Sequence, residues 1–264
     1  MKRILLTIFL LTLLTLAGAH EFWLQPSRFL FSVGEKLLVS FLVGENFMGE
    51  PWDLKKHRIE KLELHQLTKS RDLADSVKEG AKDNLQITLR EEGTHLLLMQ
   101  SNNAFMELEG EKFNAYLKED GLDEVLDHRQ RTNTLSTSAK ESYARYTKLL
   151  IQVGDKKDDT YKKVAGFPIE IIPDKNPYAL KIGDVIRFKI LFQGKPSFGT
   201  KVRVWNRFDN RTTVQNIYTE KDGTMETRLS GKGPWMVSVV KMIPSKQAGS
   251  DWQSYWGSLV FGVD

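Results

Sequence analysis

The chain has five histidines, His20, His57, His65, His95 and His128, and any metal-binding or acid–base site would draw on them first. No two are spaced as a paired ligand motif. The sequence contains no H-E-x-x-H, G-x-S-x-G, Walker loop or G-x-G-x-x-G, so the common motifs for a zinc site, a serine nucleophile or a phosphate cradle are missing. It also has no cysteine, which excludes thiolate ligands, a cysteine nucleophile and disulfide staples. The residues point to a non-enzymatic protein.

His20 stands apart by position, within AGAHEFWLQP, Ala17 to Pro26. A peptidase cutting after Ala19 would free its α-amine beside its imidazole. The two groups have ordinary pKa values near 7.7–8.0 and 6.5, so a metal can compete with their protons around neutral pH. Together they close one chelate ring on a copper, nickel or zinc ion, with copper favoured by intrinsic affinity. One such residue is half a site, and the fold must bring further donors. The competing reading is a solvated amine and a ring on the surface.

The segment before His20 makes that cut plausible chemistry. Lys2 and Arg3 form a basic start, Ile4 to Leu16 is an unbroken run of Ile, Leu, Phe and Thr, and Ala17-Gly18-Ala19 fits the small-x-small cleavage pattern. Thirteen residues fall short of the roughly 20 that span a bilayer as a helix. Residues 1–19 therefore read as a signal peptide, and the mature chain as an exported, soluble protein without membrane insertion. Lys2 and Arg3 leave with the leader, so the 38 basic residues of the whole chain fall to 36, only two more than the 34 acidic ones. That balance, with Lys and Arg scattered, argues against a nucleic-acid partner.

The elements that would position such a site read as two similar halves. FLFSVGEKLLVSFLV, from Phe29, lies on YALKIGDVIRFKILF, from Tyr178, at a shift of 149 residues. Each is an apolar-Gly-acid turn followed by the period-two alternation of a half-buried strand. LREEGTHLLLM, from Leu89, lies on LSGKGPWMVSVVKM, from Leu229, at a shift of 140, with Gly93 on Gly233 and His95 on Trp235. Both matches in order predict a mainly β fold of two tandem β-sandwich domains. The first covers residues 20–173, with a small helical insert at about 108–147. The second covers 174–264, after the turn chemistry of Pro173-Asp174-Lys175-Asn176-Pro177. Within the insert, Phe113, Tyr116 and Leu117, then Leu122, Val125 and Leu126, recur at helical spacing around a break at Asp120-Gly121. Tyr143 to Val153 reads as helix passing into strand.

The remaining candidates have plain structural readings. His65, in KLELHQL, alternates with Leu62 and Leu64 and reads as a solvated strand residue. His95 takes a packing position, His57 a loop, and His128 the C-terminal part of a helix, where a cation is favoured. Phe22, Trp23, Trp52, Trp205, Trp235, Trp252, Tyr255 and Trp256 suit core packing. The pair Trp252 and Trp256, flanked by polar residues, is the exception that could stack on a glycan. Glu91-Glu92 and Asp158-Asp159 read as solvated turns.

Several segments taken together carry a family resemblance: the AHEFWL start, GENFMGEP, EKFNAYLKEDGL, ESYARYTKLL, NPYALKIGD and DWQSYWGSLVF. Over essentially the whole mature chain they resemble domain-of-unknown-function family 4198, exported bacterial proteins described as similar to a nickel-uptake periplasmic component. The resemblance implies immunoglobulin-like domains, a periplasmic location and a role with nickel or a related ion, passed to a metal-transport membrane component or an envelope partner. It carries His20 over as the histidine opening the mature chain. It also implies a histidine where this chain has Lys241, and a protonated lysine is a poor ligand. The expectation is a transition-metal-binding accessory using His20. The alternative is a recognition module for an envelope glycan or partner protein.

Overall fold

A computed structural model describes residues 21–264; His20 and the predicted leader lie outside the described residues. The fold is mainly β, 51% strand and 14% helix. The first part of the chain forms β1 (Glu21–Pro26), β2 (Leu30–Phe31), β3 (Lys36–Glu45), β4 (Met48–Pro51), β5 (Ile59–His65), β6 (Ser70–Asp72), β7 (Leu85–Thr88), β8 (Gly93–Ser101) and β9 (Ala104–Leu108). Two helices follow, α1 (Gly110–Asp120) and α2 (Asp123–Arg131), then the long β10 (Ala139–Val153). The rest is β11 (Ile169–Pro173), β12 (Val185–Phe192), β13 (Lys195–Pro196), β14 (Lys201–Phe208), β15 (Arg211–Tyr218), β16 (Thr224–Arg228), β17 (Gly233–Pro244) and β18 (Trp252–Val263).

These strands make three sheets. β1, β3, β4 and β7 form one four-stranded sheet, and β11, β12, β13 and β16 another. Between them runs a ten-stranded sheet in the order β15-β14-β17-β18-β10-β8-β5-β6, with β2 and β9 also paired to β10. Its seam is the parallel pair β10–β18, from Glu141 opposite Trp252 to Leu149 opposite Val260. Alternation fills the cores on either side. Leu37, Val39 and Phe41 of β3 pack with Leu62, Met99, Leu149 and Ile151. Ile186, Phe188 and Ile190 of β12 pack with Val202, Val237, Leu259 and Phe261. Burial of this apolar surface, at about 25 cal/mol per Å², is the main stabilising term in a chain without disulfides.

The internal repeat of the sequence is also a repeat of hydrogen bonds. Gly34 and Gly183 both take left-handed φ, 91° and 97°, which a side chain would resist. Gly34 N–H donates to Leu89 O and Leu89 N–H to Glu35 O. At the other site Gly183 N–H donates to Leu229 O and Leu229 N–H to Asp184 O. The acid of each turn accepts from the backbone three residues back, Ser32 for Glu35 and Lys181 for Asp184. Each turn then launches a strand onto its partner, β3 on β7 and β12 on β16.

The helices break at Gly121, φ 68°, in the place the sequence indicates. They end earlier than the predicted insert, however. α2 stops at Arg131, and Tyr143 to Val153 is strand throughout. The reason is burial on two sides: Leu149 and Ile151 face one core, Leu150 the other. A strand covered on both faces loses its period-two signature and reads like a buried helix. His65 differs for a related reason. It is 6% exposed, and the face it shares with Lys61 meets the segment before β11, where the Phe167 ring lies 5.9 Å from Lys61 Nζ. His57 sits in a short 3₁₀ turn, Lys56–Arg58.

Candidate functional site

β1 carries a charged residue into the interior. Phe22, Trp23 and Leu24 are buried, and their rings anchor the strand: Phe22 lies edge-on to Trp52 and Trp23 to Phe47. Phe22 O accepts from Ser258 Oγ of β18 at 2.7 Å. Held this way, Glu21 is only 5% exposed, and its carboxylate must find a partner inside. The partner is Arg203 of β14, whose Nη1 lies 2.9 Å from Glu21 Oε1 and 2.5 Å from Asp120 Oδ1. Asp120 ends α1, and Glu119 O in the same turn accepts from Arg203 Nη2 and from Lys201 Nζ, each at 2.7 Å. The two cations thus satisfy a carbonyl that the helix terminus leaves open and meet the negative end of its dipole. One guanidinium ties together β1, α1 and β14.

Burial dominates the electrostatics. It lifts the Asp120 carboxyl to about 7, against the pull of Arg203 and with a further push from Glu21. Glu21 is raised too, by burial first, with Arg203 opposing. Burial works against the charge of Arg203, but Asp120 and Glu21 outweigh it and hold its pKa above the usual value. These groups line a cleft of about 440 Å³ that Tyr116, Trp205 and Val214 also border.

A third acid lies behind Tyr116. Glu141 of β10 has no solvent exposure. Its Oε1 accepts from the Tyr116 hydroxyl at 3.2 Å and from Ser254 Oγ, while Trp256 Nε1 donates to Ser254 Oγ at 3.0 Å. Its Oε2 has no partner among the described residues. Burial raises this carboxyl to about 7, and the charge of Asp120 adds to the shift. The Tyr116 hydroxyl is pushed well up by burial, then by Glu141 and Asp120. Three acids, one arginine and a tyrosine therefore meet where the two halves and the helices join. Such an arrangement can hold or release protons near neutral pH, and it can receive a cationic or hydrogen-bonding group at the cleft.

A family model described as "Domain of unknown function (DUF4198)" matches residues 17–242. The chain belongs to the DUF4198 family. The match covers β1, both helices and β14, which build the cleft, and stops before β18. No curated protein matches this DUF4198 chain. Among solved structures it is similar to a Salmonella alpha-2-macroglobulin reacted with methylamine, at 12% identity and a TM-score of 0.24. That likeness covers 91% of this chain and 15% of the other, so the chain spans a small fraction of the longer protein.

The residues singled out in the sequence fall as follows in this DUF4198 fold. His20 lies outside the described residues. Among the described residues no group of three His, Cys, Asp or Glu is placed to hold a metal. His128 meets the Trp252 ring edge-on at 5.4 Å. His95 is buried, its Nε2 placed to donate to Glu91 O at 3.0 Å, with Gln66 Nε2 3.3 Å from the same nitrogen. Lys241 faces Tyr255 in the β17–β18 register, and its Nζ lies 3.8 Å from Glu124; it does not line the cleft. Trp252 is 6% exposed and packs with Phe113, Leu117 and Val125. Trp256 stacks on Tyr116 with ring centroids 6.1 Å apart. The aromatic pair therefore fastens the helices to the sheet. Glu92 and Asp158 do serve turns, accepting from Asp155 N–H and Thr160 N–H.

Glu21, Asp120, Arg203 and Glu141 are absent from the sequence-based candidates. The available signal was faint: Lys201 and Arg203 alternate with Val202 and Val204 on a strand in the middle of the second half. Charges at every second position mark a surface face unless another element covers it.

Proposed function

We propose that this DUF4198 protein is a periplasmic, non-enzymatic binding protein that takes a divalent transition-metal ion, nickel, cobalt or copper, at the start of its mature chain, for transfer to a membrane transport component. The observation that carries the reading is the burial of Glu21 in a polar cleft. Glu21, the second residue after the predicted cleavage point, shares Arg203 of β14 with Asp120 of α1, so the chain enters the fold where acidic groups are gathered. His20 supplies the leading donors, an α-amine and an imidazole nitrogen. The described residues fit such a cargo ion as auxiliaries. Glu21 and Asp120 share Arg203, so a cation reaches their oxygens only by competing with the guanidinium, and nitrogen donors must supply most of the affinity. The repeated turns support reading the halves as two immunoglobulin-like sandwiches. The alternative of glycan recognition has less support, because Trp252 and Trp256 are occupied in packing.

Calorimetric titration of the processed chain with Ni(II), Co(II) and Cu(II) tests the proposal. Intact mass measurement first establishes that the chain starts at His20. We expect one ion per chain, and an association constant reduced at least about tenfold, 1.4 kcal/mol, when one residue is added ahead of His20. An isotherm unaltered by that residue removes the amine from the site, and no binding by the processed chain removes the function.

A further inference from the structure

The hairpin of β3 and β4 brings one more carboxylate to the cleft. Glu45 ends β3 and lines the cleft with Glu21 and Asp120. Burial is the main cause that raises the Glu21 carboxyl, and the charge of Glu45 adds to it. The two strands of the hairpin join through Asn46 and Phe47, with φ 54° and 55°. In such a two-residue turn the flanking pair, here Glu45 and Met48, exchanges hydrogen bonds. Glu45 therefore directs its N–H and C=O toward β4. The alternation along β3 agrees. Phe41, four residues back, bonds to the same side, its O accepting from Trp52 N–H at 2.8 Å, whereas Leu38 O accepts on the β1 side from Ser27 N–H at 2.9 Å.

β1 runs antiparallel along the other side of β3, with Phe22 opposite Val43 and Glu21 opposite Gly44. The next β3 position in that register is Glu45. Because Glu45 bonds toward β4, a pair formed across to β1 at this position is of the non-hydrogen-bonded kind. In such a pair the Cα atoms are about 4.5 Å apart, and the opposite side chains share a face and come closest. Glu45 is exposed, so its carboxylate keeps its charge without the cost of burial. Glu21 and Asp120 are placed differently: both are buried, and both are held by Arg203.

We propose that the β1–β3 ladder runs one pair past Glu21, setting His20 opposite Glu45, and that Glu45 is an oxygen donor to the ion His20 holds. The inference rests on the function proposed above and adds a donor to its half-site. An amine, an imidazole and a carboxylate make a mixed nitrogen and oxygen set that suits Cu(II) and Ni(II), and it leaves the Arg203 guanidinium in place.

Calorimetry of the processed chain with Ni(II) and Cu(II) tests the donor, and a crosslink tests the register without metal. Glu45→Gln is expected to lower the association constant at least about tenfold, a loss that removing even a hydrogen-bond partner of a metal ligand can cause, with an unchanged circular-dichroism spectrum. Glu50→Gln removes an exposed charge of β4, opposite Val43. It is expected to change the constant less than about threefold, because salt screens an exposed charge at that remove. The chain has no cysteine, so His20→Cys with Glu45→Cys introduces a single pair, at a separation a disulfide spans. That pair is expected to close under mild oxidation, and His20→Cys with Glu50→Cys to stay open. Binding by Glu45→Gln equal to that of the unaltered chain overturns the inference. So does an equal loss in Glu50→Gln, or a Glu45 pair that stays open. No uptake by the unaltered chain overturns the function and the donor role together, and the crosslink then shows whether the register fails with them.

Discussion

Lys148 with Glu170 and Arg203 with Glu21 and Asp120 are both buried ionic groups that join elements distant in sequence, and they close their charges differently. Lys148 of β10 meets Glu170 of β11, both almost without exposure. The ammonium also donates to Lys163 O at 3.3 Å and Ile171 O at 3.4 Å, and Glu170 Oε1 accepts from Phe167 N–H at 2.9 Å. One positive charge meets one negative charge, and the remaining capacity is filled by backbone. Burial still works against the lysine's charge, with Glu170 opposing that shift. At the cleft, one guanidinium serves two carboxylates, with Glu141 close behind. The first group is a closed fastening between a sheet and its cover. The second has an excess acid, which keeps a proton available near neutral pH and borders an open cleft.

The sharpest way to break that contrast is to remove the cations. Arg203→Met leaves Glu21 and Asp120 buried together without a counter-charge, and it is expected to cost about 3–5 kcal/mol at pH 8. The loss should shrink at pH 5, where both acids can take up protons. By contrast, replacing both members of the closed group, Lys148→Met with Glu170→Leu, is expected to change stability little, because the desolvation of both charges is relieved together. Denaturant unfolding of the two variants at both pH values checks this. Equal losses in the two variants, independent of pH, would show that the cleft cluster is as closed as the Lys148 group.

The second effect is a pH dependence with a defined sign. Asp120 and Glu141 have folded pKa values of about 7 against ordinary values of 3.8 and 4.5. A carboxyl raised by folding holds a proton that the unfolded chain has already lost. Its stabilising share is complete below the unfolded value and is lost as pH rises through about 7. His65 and His95 act in the opposite direction at lower pH. Burial depresses both below 6.5, so the stability they contribute is present above 6.5 and lost as pH falls through their folded values. The window from pH 6.5 to 8 therefore isolates the acids. The melting temperature of the protein is expected to fall across it by on the order of 5 °C, and Glu141→Gln to flatten the slope. A melting temperature that rises across this window contradicts the assignment.

Much of the scaffold is legible in the sequence because its signals are local. A glycine at positive φ, an acid that caps the turn and an alternating strand sit within about a dozen residues at both Gly34 and Gly183. The helix break at Gly121 is local in the same sense. The central features are not. Nothing near Tyr143 or Trp252 announces that β10 and β18 will pair in parallel across more than a hundred intervening residues. That pairing buries both faces of β10 and erases its alternation. The cleft is hidden for the same reason. Glu21 follows a predicted cleavage point and precedes an apolar strand, so its charge reads as incidental. Asp120 reads as a helix stop, and Arg203 as one of several charges on a strand. Their meaning arises only when α1 folds back over β14. Alternation says which residues share a face and leaves open what covers that face, which is why His65 reads as solvated and is buried.

The smallest expected effect separates the two cations of the cleft. Lys201 and Arg203 both donate to Glu119 O at 2.7 Å, yet only Arg203 also reaches Glu21 and Asp120. Lys201 is partly exposed, and its pKa is lowered by burial and then by Arg203, against the pull of Asp120 and Glu119. Its share is a helix-terminal contact, worth about 0.3–1 kcal/mol, and screened by salt. Lys201→Met is therefore expected to lower stability by less than about 1 kcal/mol, to leave the pH slope of Asp120 and Glu141 in place, and to lose its effect in high salt. If it matches Arg203→Met in size, charge near the helix end is what matters, and the bridging of three elements by one guanidinium is not the organising contact of the cleft.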